Sequence, residues 1–157
     1  MSDDQVSWNA GECPACAVPG TRWEFLATAE QTEGQYAALE ITAQAGKGPP
    51  LHRHRAREGF YVLEGEYEFV VEGRRVVCRA GGFATIPSSA AHRWRNVGES
   101  QGRLLCFVTP GGLEGYFGRI GAPLAGRTAP PPARPGVGGQ DAKGLAAEFG
   151  IELLEEA

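Results

Sequence analysis

The chain contains three histidines, His52, His54 and His92, and two of them lie in His52-Arg53-His54 with Glu58 four residues further on. Neutral imidazoles together with one carboxylate suit a divalent transition metal. On a strand, residues two apart point to the same face, so His52 and His54 can reach one ion together. A turn over residues 55–57 would bring Glu58 in on the next strand, facing the same ion. A fourth ligand must come from elsewhere, and His92 is the one histidine left. A carboxylate able to swing off a metal can also take a proton from a bound hydroxyl, which makes Glu58 the candidate general base as well as a ligand.

These side chains need short strands to hold them, and the pattern supplies them. From about Thr21 to Pro110 the apolar runs are brief and evenly spaced: Trp23 to Leu26, Tyr36 to Thr42, Gly59 to Leu63, Tyr67 to Val71, Arg75 to Cys78, Phe83 to Ile86, His92 to Val97 and Arg103 to Thr109. Glu64-Gly65 and Glu72-Gly73-Arg74 read as turns, the second as a tight hairpin. Strands at this spacing with no long helical pattern between them predict an all-β barrel or sandwich. Residues 1–20 are polar and aperiodic. After Pro110 the pattern changes: residues 113–117 could form one or two helical turns, and 121–139 is Gly/Pro-rich and reads as an extended linker. A short C-terminal helix is expected, with Asp141 as N-cap, Leu145 and Phe149 on one face, and Gly150 at its end. The expected organisation is an N-terminal segment (1–20), a barrel (21–110), a short helix and linker (111–139), and a C-terminal helix packing on the barrel (140–157).

Composition limits the function classes. The 157 residues include 23 glycines and 11 prolines, against roughly 12% for the two together in average proteins, which disfavours a helical bundle. At 42% hydrophobic and 22% charged, the chain is composed like a folded domain rather than a disordered segment. A formal net charge of −4 gives no electrostatic footprint for nucleic acid. The strongest apolar run, Leu104 to Val108, falls far short of the roughly 20 residues of a membrane helix. The acidic start lacks the blocks of a signal peptide, so a cytoplasmic protein with four free thiols is expected. Cys13-x-x-Cys16 lacks two further ligands at short spacing, because Cys78 and Cys106 lie within strand patterns; it reads as an incidental pair.

The residues around the histidines resemble the cupin superfamily. Gly46, His52, His54, Glu58 and Gly65 stand at every spacing of its first signature motif, and Gly81, Pro87, His92 and Asn96 at those of its second. One position departs: Ser89 stands where the family has glycine, at a site that wants a permissive backbone. Gly46 to His52, Phe60 to Gly65 and Thr109 to Glu114 are similar to the branch that includes single-domain quercetin dioxygenase-like proteins. The resemblance implies a single jelly-roll-like β-barrel in which His52, His54, Glu58 and His92 ligate one divalent ion: Fe, Mn, Ni, Co, Cu or Zn. It also implies a homodimer, and a mononuclear metal dioxygenase acting with dioxygen on an aromatic or enolic, flavonol-like small molecule. The alternatives are a redox-neutral metal cupin (isomerase, cyclase or decarboxylase in a biosynthetic pathway) and a non-catalytic binding protein. If Glu58 faces inward, strand parity sends Phe60 and Val62 inward too, and Trp94 follows His92, so these three are the candidate substrate pocket. Arg53 and Arg55 alternate with the first two histidines, and Arg93 and Arg95 with His92 and Trp94, which assigns them to the outer face.

Overall fold

Alternation along the strands decides the architecture. In Arg57–Glu64, Phe60 and Val62 are buried while Tyr61 between them is 40% exposed. Gly102–Thr109 repeats the pattern, with Leu104, Cys106 and Val108 buried and Phe107 exposed. A strand that is apolar on one face must cover that face, and the cover here is a second sheet.

The computed structural model describes residues 6–124 and 139–156. In chain order the elements are β1 (Ala15–Val18), β2 (Thr21–Ala27), β3 (Ala37–Ala43), β4 (His52–Arg53), β5 (Arg57–Glu64), β6 (Glu66–Val71), β7 (Arg74–Arg79), β8 (Phe83–Ile86), β9 (His92–Asn96), β10 (Gly102–Thr109), α1 (Glu114–Ile120), β11 (Ala122–Leu124), α2 (Gly139–Glu148) and β12 (Glu152–Leu153). One sheet runs β11-β1-β2-β3-β10-β5-β8 and the other β12-β4-β9-β6-β7, a jelly-roll arrangement of antiparallel strands. Between the sheets, Leu39, Ile41, Phe60, Phe69, Ile86 and Leu104 are almost wholly removed from water. Each such side chain contributes about 1.5–3 kcal/mol through burial. No helix among the described residues is long and apolar enough to cross a membrane.

The strands expected from the pattern are all present, and three regions differ from expectation. Residues 122–124 fall in the expected linker but form β11, while 125–138 of that linker lie outside the described residues. Residues 15–18, read as aperiodic, form β1, which pairs with β2 on one side and β11 on the other. Four residues are too few to show a period, so that pairing is a tertiary effect. At the other end α2 starts at Gly139, which puts Asp141 inside its first turn rather than at the N-cap. The helix stops as expected: Gly150 has φ +71°, its N–H bonds to the Ala147 carbonyl, and the Ile151 N–H reaches back to Ala146. Those are the two bonds of a Schellman cap. Glycine 73 (φ +75°) and Glu72 (φ +49°) form the two-residue turn between β6 and β7, a left-handed pair that matches strand twist.

The segment leading into β4 is laid directly on β9. The Gly46 N–H donates to the Asn96 carbonyl at 2.8 Å and the Asn96 N–H to the Lys47 carbonyl at 2.9 Å. A Cβ on Gly48 would stand 1.9 Å from the Trp94 carbonyl oxygen, a backbone atom that cannot yield. Gly48→Ala is therefore expected to push this segment off β9 and lower stability by about 1–3 kcal/mol, the range for overpacking, read as a fall in thermal midpoint; an unchanged midpoint would contradict the close approach.

Candidate metal centre and cavity

Both sheets contribute to the histidine cluster. His52 on β4 pairs directly with His92 on β9. The chain then turns through 54–56, carrying His54, and enters the other sheet as β5, where Glu58 lies between Ile86 and Val108. The turn expected over 55–57 is displaced to 54–56, with Arg57 already in β5, and it brings Glu58 beside His54 and His92. His54 and His92 are buried, and His52 is half-buried.

Each imidazole is oriented by a backbone carbonyl two residues away. Nδ1 of His52 meets the Pro50 oxygen at 2.7 Å, Nδ1 of His54 the Ala56 oxygen at 3.0 Å, and Nδ1 of His92 the Ala90 oxygen at 2.8 Å. A carbonyl only accepts, so Nδ1 carries a hydrogen in all three rings, which leaves Nε2 as the nitrogen available to a metal. Histidines that bind metals are held by this kind of outer hydrogen bond. The ring centroids lie 4.3 to 5.4 Å apart, and one ligand atom from each ring falls within 4.8 Å of the others.

The donor set fits a cation. The Nε2 of His54 is buried without a hydrogen-bond partner and stands 3.6 Å from a Glu58 carboxylate oxygen. The Nε2 of His92 faces the same oxygen at 3.0 Å. A carboxylate only accepts, so without metal a proton on an imidazole Nε2 bridges such a pair, and a divalent ion can take that proton's place. Burial and then the neighbouring His92 press the His52 imidazole down to about 4, so it is neutral and ready to ligate. At His54 burial works downward, but the adjacent Glu58 carboxylate outweighs it and the imidazole titrates above its ordinary value. Burial alone would raise the Glu58 carboxyl; contacts from His54 and His92 hold it down to about 2.

The loop before His92 braces the turn that carries His54. The Ser89 N–H donates to the His54 carbonyl at 2.8 Å, and the Ser88 hydroxyl to the Arg55 carbonyl at 2.6 Å. Ser89 reaches this position with φ +64°, the left-handed conformation for which the motif glycine is suited.

A cavity of about 300 Å³ opens on the cluster and is lined by His52, His54 and Glu58. Its remaining walls come from distant parts of the chain: Val18 and Trp23 at the start of the barrel, Tyr116 and Phe117 of α1, and Lys143, Ile151 and Leu153 near the C-terminus. Trp23 and Phe117 stack at 3.8 Å with 11° between their planes. Phe60, Val62 and Trp94 do face inward, but they are 2%, 0% and 2% exposed, pack against other core rings, and do not line this cavity. Parity gave their face correctly; the cavity sits towards α1 and the C-terminal segment instead. No motif signals those lining residues, because they are adjacent only in space.

The C-terminal segment also fastens the ligand strand. β12 pairs with β4, with Leu153 opposite His52, and Arg53 and Glu152 form an ion pair at 3.3 Å. Arg93, expected on a solvated face, is 6% exposed because Glu68 and Glu156 enclose it. None of the four cysteines is in a disulfide, and Cys16 donates to the Phe117 carbonyl at 3.3 Å.

Residues 39–108, which include all four candidate ligands, match the family model described as the cupin domain. Over those residues the chain carries a cupin domain. This cupin is 28% identical to a quercetin 2,3-dioxygenase of Bacillus subtilis over 133 residues, 84% of the chain and 39% of that enzyme. It is 30% identical to the polyketide synthase CurC of Streptomyces cyaneus over 99 residues, 55% of the chain and 64% of that protein. The chain thus spans less than two thirds of either curated relative. Among solved structures, an RmlC-like cupin from Shewanella frigidimarina superposes with a TM-score of 0.59 at 22% identity, covering 69% of this chain and 95% of that one. That likeness shows the fold.

Two measurements check the site. Replacing Ser89 with glycine removes strain of about 1–3 kcal/mol against a glycine entropy cost of roughly 0.5–1 kcal/mol; the variant should therefore be more stable than the parent in denaturant unfolding, and a loss of stability would contradict the strain. Titration with Co(II) or Ni(II) should saturate at one ion per chain, with affinity falling as pH falls, since protons compete first at His54. His52, held near 4, costs no proton above that value. Affinity unchanged from neutral to mildly acidic pH would contradict this ligand set.

Proposed function

We propose that this cupin is a mononuclear metal-dependent dioxygenase of an aromatic or enolic small molecule, with His52, His54, Glu58 and His92 as the ligands. One observation carries the proposal: three imidazoles and a carboxylate cluster beside an apolar cavity of about 300 Å³, with His52, His54 and Glu58 forming part of its wall. That volume lies at the small end of the range for ligand sites, which run from roughly 300 to 1,000 Å³. The likeness to a quercetin 2,3-dioxygenase supports the same chemistry, at 28% identity.

A bound divalent transition metal would supply Lewis acidity towards a substrate oxygen and the one-electron chemistry that reaction with dioxygen demands. The chain's own residues do the rest. The three Nδ1–H···O=C bonds hold the imidazoles in place without rearrangement when substrate enters. Apolar walls exclude water, which strengthens every electrostatic interaction inside. Glu58, ionised at neutral pH, accepts the proton of a substrate hydroxyl; moving away from His54 and His92 removes the contacts that hold its basicity down, so its proton affinity rises as it leaves them.

A redox-neutral reaction is the second reading, favoured by the match to a polyketide synthase. Oxygen uptake separates the two. With metal restored and flavonols or other phenols screened, the dioxygenase consumes dioxygen in step with substrate loss. Substrate conversion without uptake supports the redox-neutral reading, and binding without conversion leaves a binding protein. Glu58→Gln should lower kcat by roughly 10²–10⁴-fold, the range for a general base, with metal still bound by elemental analysis. Full turnover in the metal-loaded variant would reduce Glu58 to a ligand.

A further inference from the structure

Lys143 is the one lysine or arginine among the described residues that line the cavity. It lies on α2, whereas the histidines come from β4 and the turn after it, so cation and metal-binding groups occupy different walls. The residue is exposed yet contributes to the lining, a position from which a lysine can lay its methylenes on an apolar wall and keep its ammonium in water. It makes no ion pair among the described residues, although Arg119 and Glu148 pair on the same two helices at 3.1 Å. On a chain of net charge −4, an anionic ligand would otherwise be repelled on approach. A neutral ligand needs no cation there.

We infer that the cavity selects a substrate bearing a carboxylate: its oxygen donors face His52, His54 and Glu58, its ring lies beside Trp23 and Phe117, and its acid group meets Lys143. This deepens the proposed function and rests on it only for the site, since acid recognition is a property of binding and requires no turnover.

The test compares catechol with 3,4-dihydroxybenzoate, which present the same vicinal oxygens and differ by one carboxylate. Both are titrated by calorimetry into the full chain loaded with zinc, which is redox-inert. The acid should bind about fivefold tighter at low salt, the upper end for an ion pair at a solvent-facing rim, and the preference should shrink as salt is raised. Lys143→Met should abolish the preference and leave catechol affinity unchanged. Lys143→Arg should retain it, and Lys143→Glu should reverse it. Equal affinities in the parent chain, no binding of the acid, or a preference that survives Lys143→Met overturns the inference and leaves Lys143 a solvated surface residue. Oxygen uptake without the acid preference would sink this inference alone; the preference without oxygen uptake would sink the dioxygenase proposal alone.

Discussion

The histidine cluster depends on hydrogen bonds that involve no metal. Each imidazole gives its Nδ1 hydrogen to a carbonyl two residues away, two residues earlier for His52 in β4 and His92 at the start of β9, and two residues later for His54 in the turn between β4 and β5. The bond fixes the ring plane, and the Nε2 atoms of His54 and His92 stand 3.6 and 3.0 Å from a Glu58 carboxylate oxygen. The backbone carbonyls are themselves positioned by the sheets, through the direct pairing of His52 with His92 and of Glu58 with Val108 and Ile86. Disturb the strand register and the rings lose their anchors before they lose an ion.

That dependence explains where the chain tolerates conformational cost. Ser89 is held at φ +64° because its N–H must reach the His54 carbonyl, and the same short loop leads into His92. Gly48 has no such latitude, since the Trp94 carbonyl occupies the space a side chain would need. Both positions tie one ligand-bearing segment to another, and both act through backbone atoms rather than side-chain chemistry.

The cavity is organised differently from the cluster. Its walls come from β1 and β2, from α1 and from the segment around α2 and β12, which the two sheets and the helix contacts gather around the barrel mouth. The final strand has a double role, completing the edge of β4 opposite His52 and contributing Leu153 to the cavity, while Glu152 and Glu156 fasten it to Arg53 and Arg93. A substrate would therefore touch the part of the chain that also secures a ligand strand.

The barrel strands and the four candidate ligands were legible in the sequence because both signals are local. Alternation between Phe60, Tyr61 and Val62 marks a half-buried strand, and His52-x-His54 followed by Glu58 places three donors within one strand, one turn and the start of the next. The pairing of β1 was not legible, since four residues carry no period, nor was the helix start at Gly139, two residues ahead of the best capping residue. Phe60, Val62 and Trp94 were assigned the right face and the wrong neighbour, because parity orients a side chain without saying what fills the space it enters. The sequence by itself determined which residues alternate and which donor side chains stand close enough in the chain to share one site, through spacings a few residues long. Only the tertiary structure decided that Trp23, Phe117, Lys143 and Leu153 share one cavity with the histidines, because contacts between residues so far apart in the chain depend on how the sheets and helices close on one another.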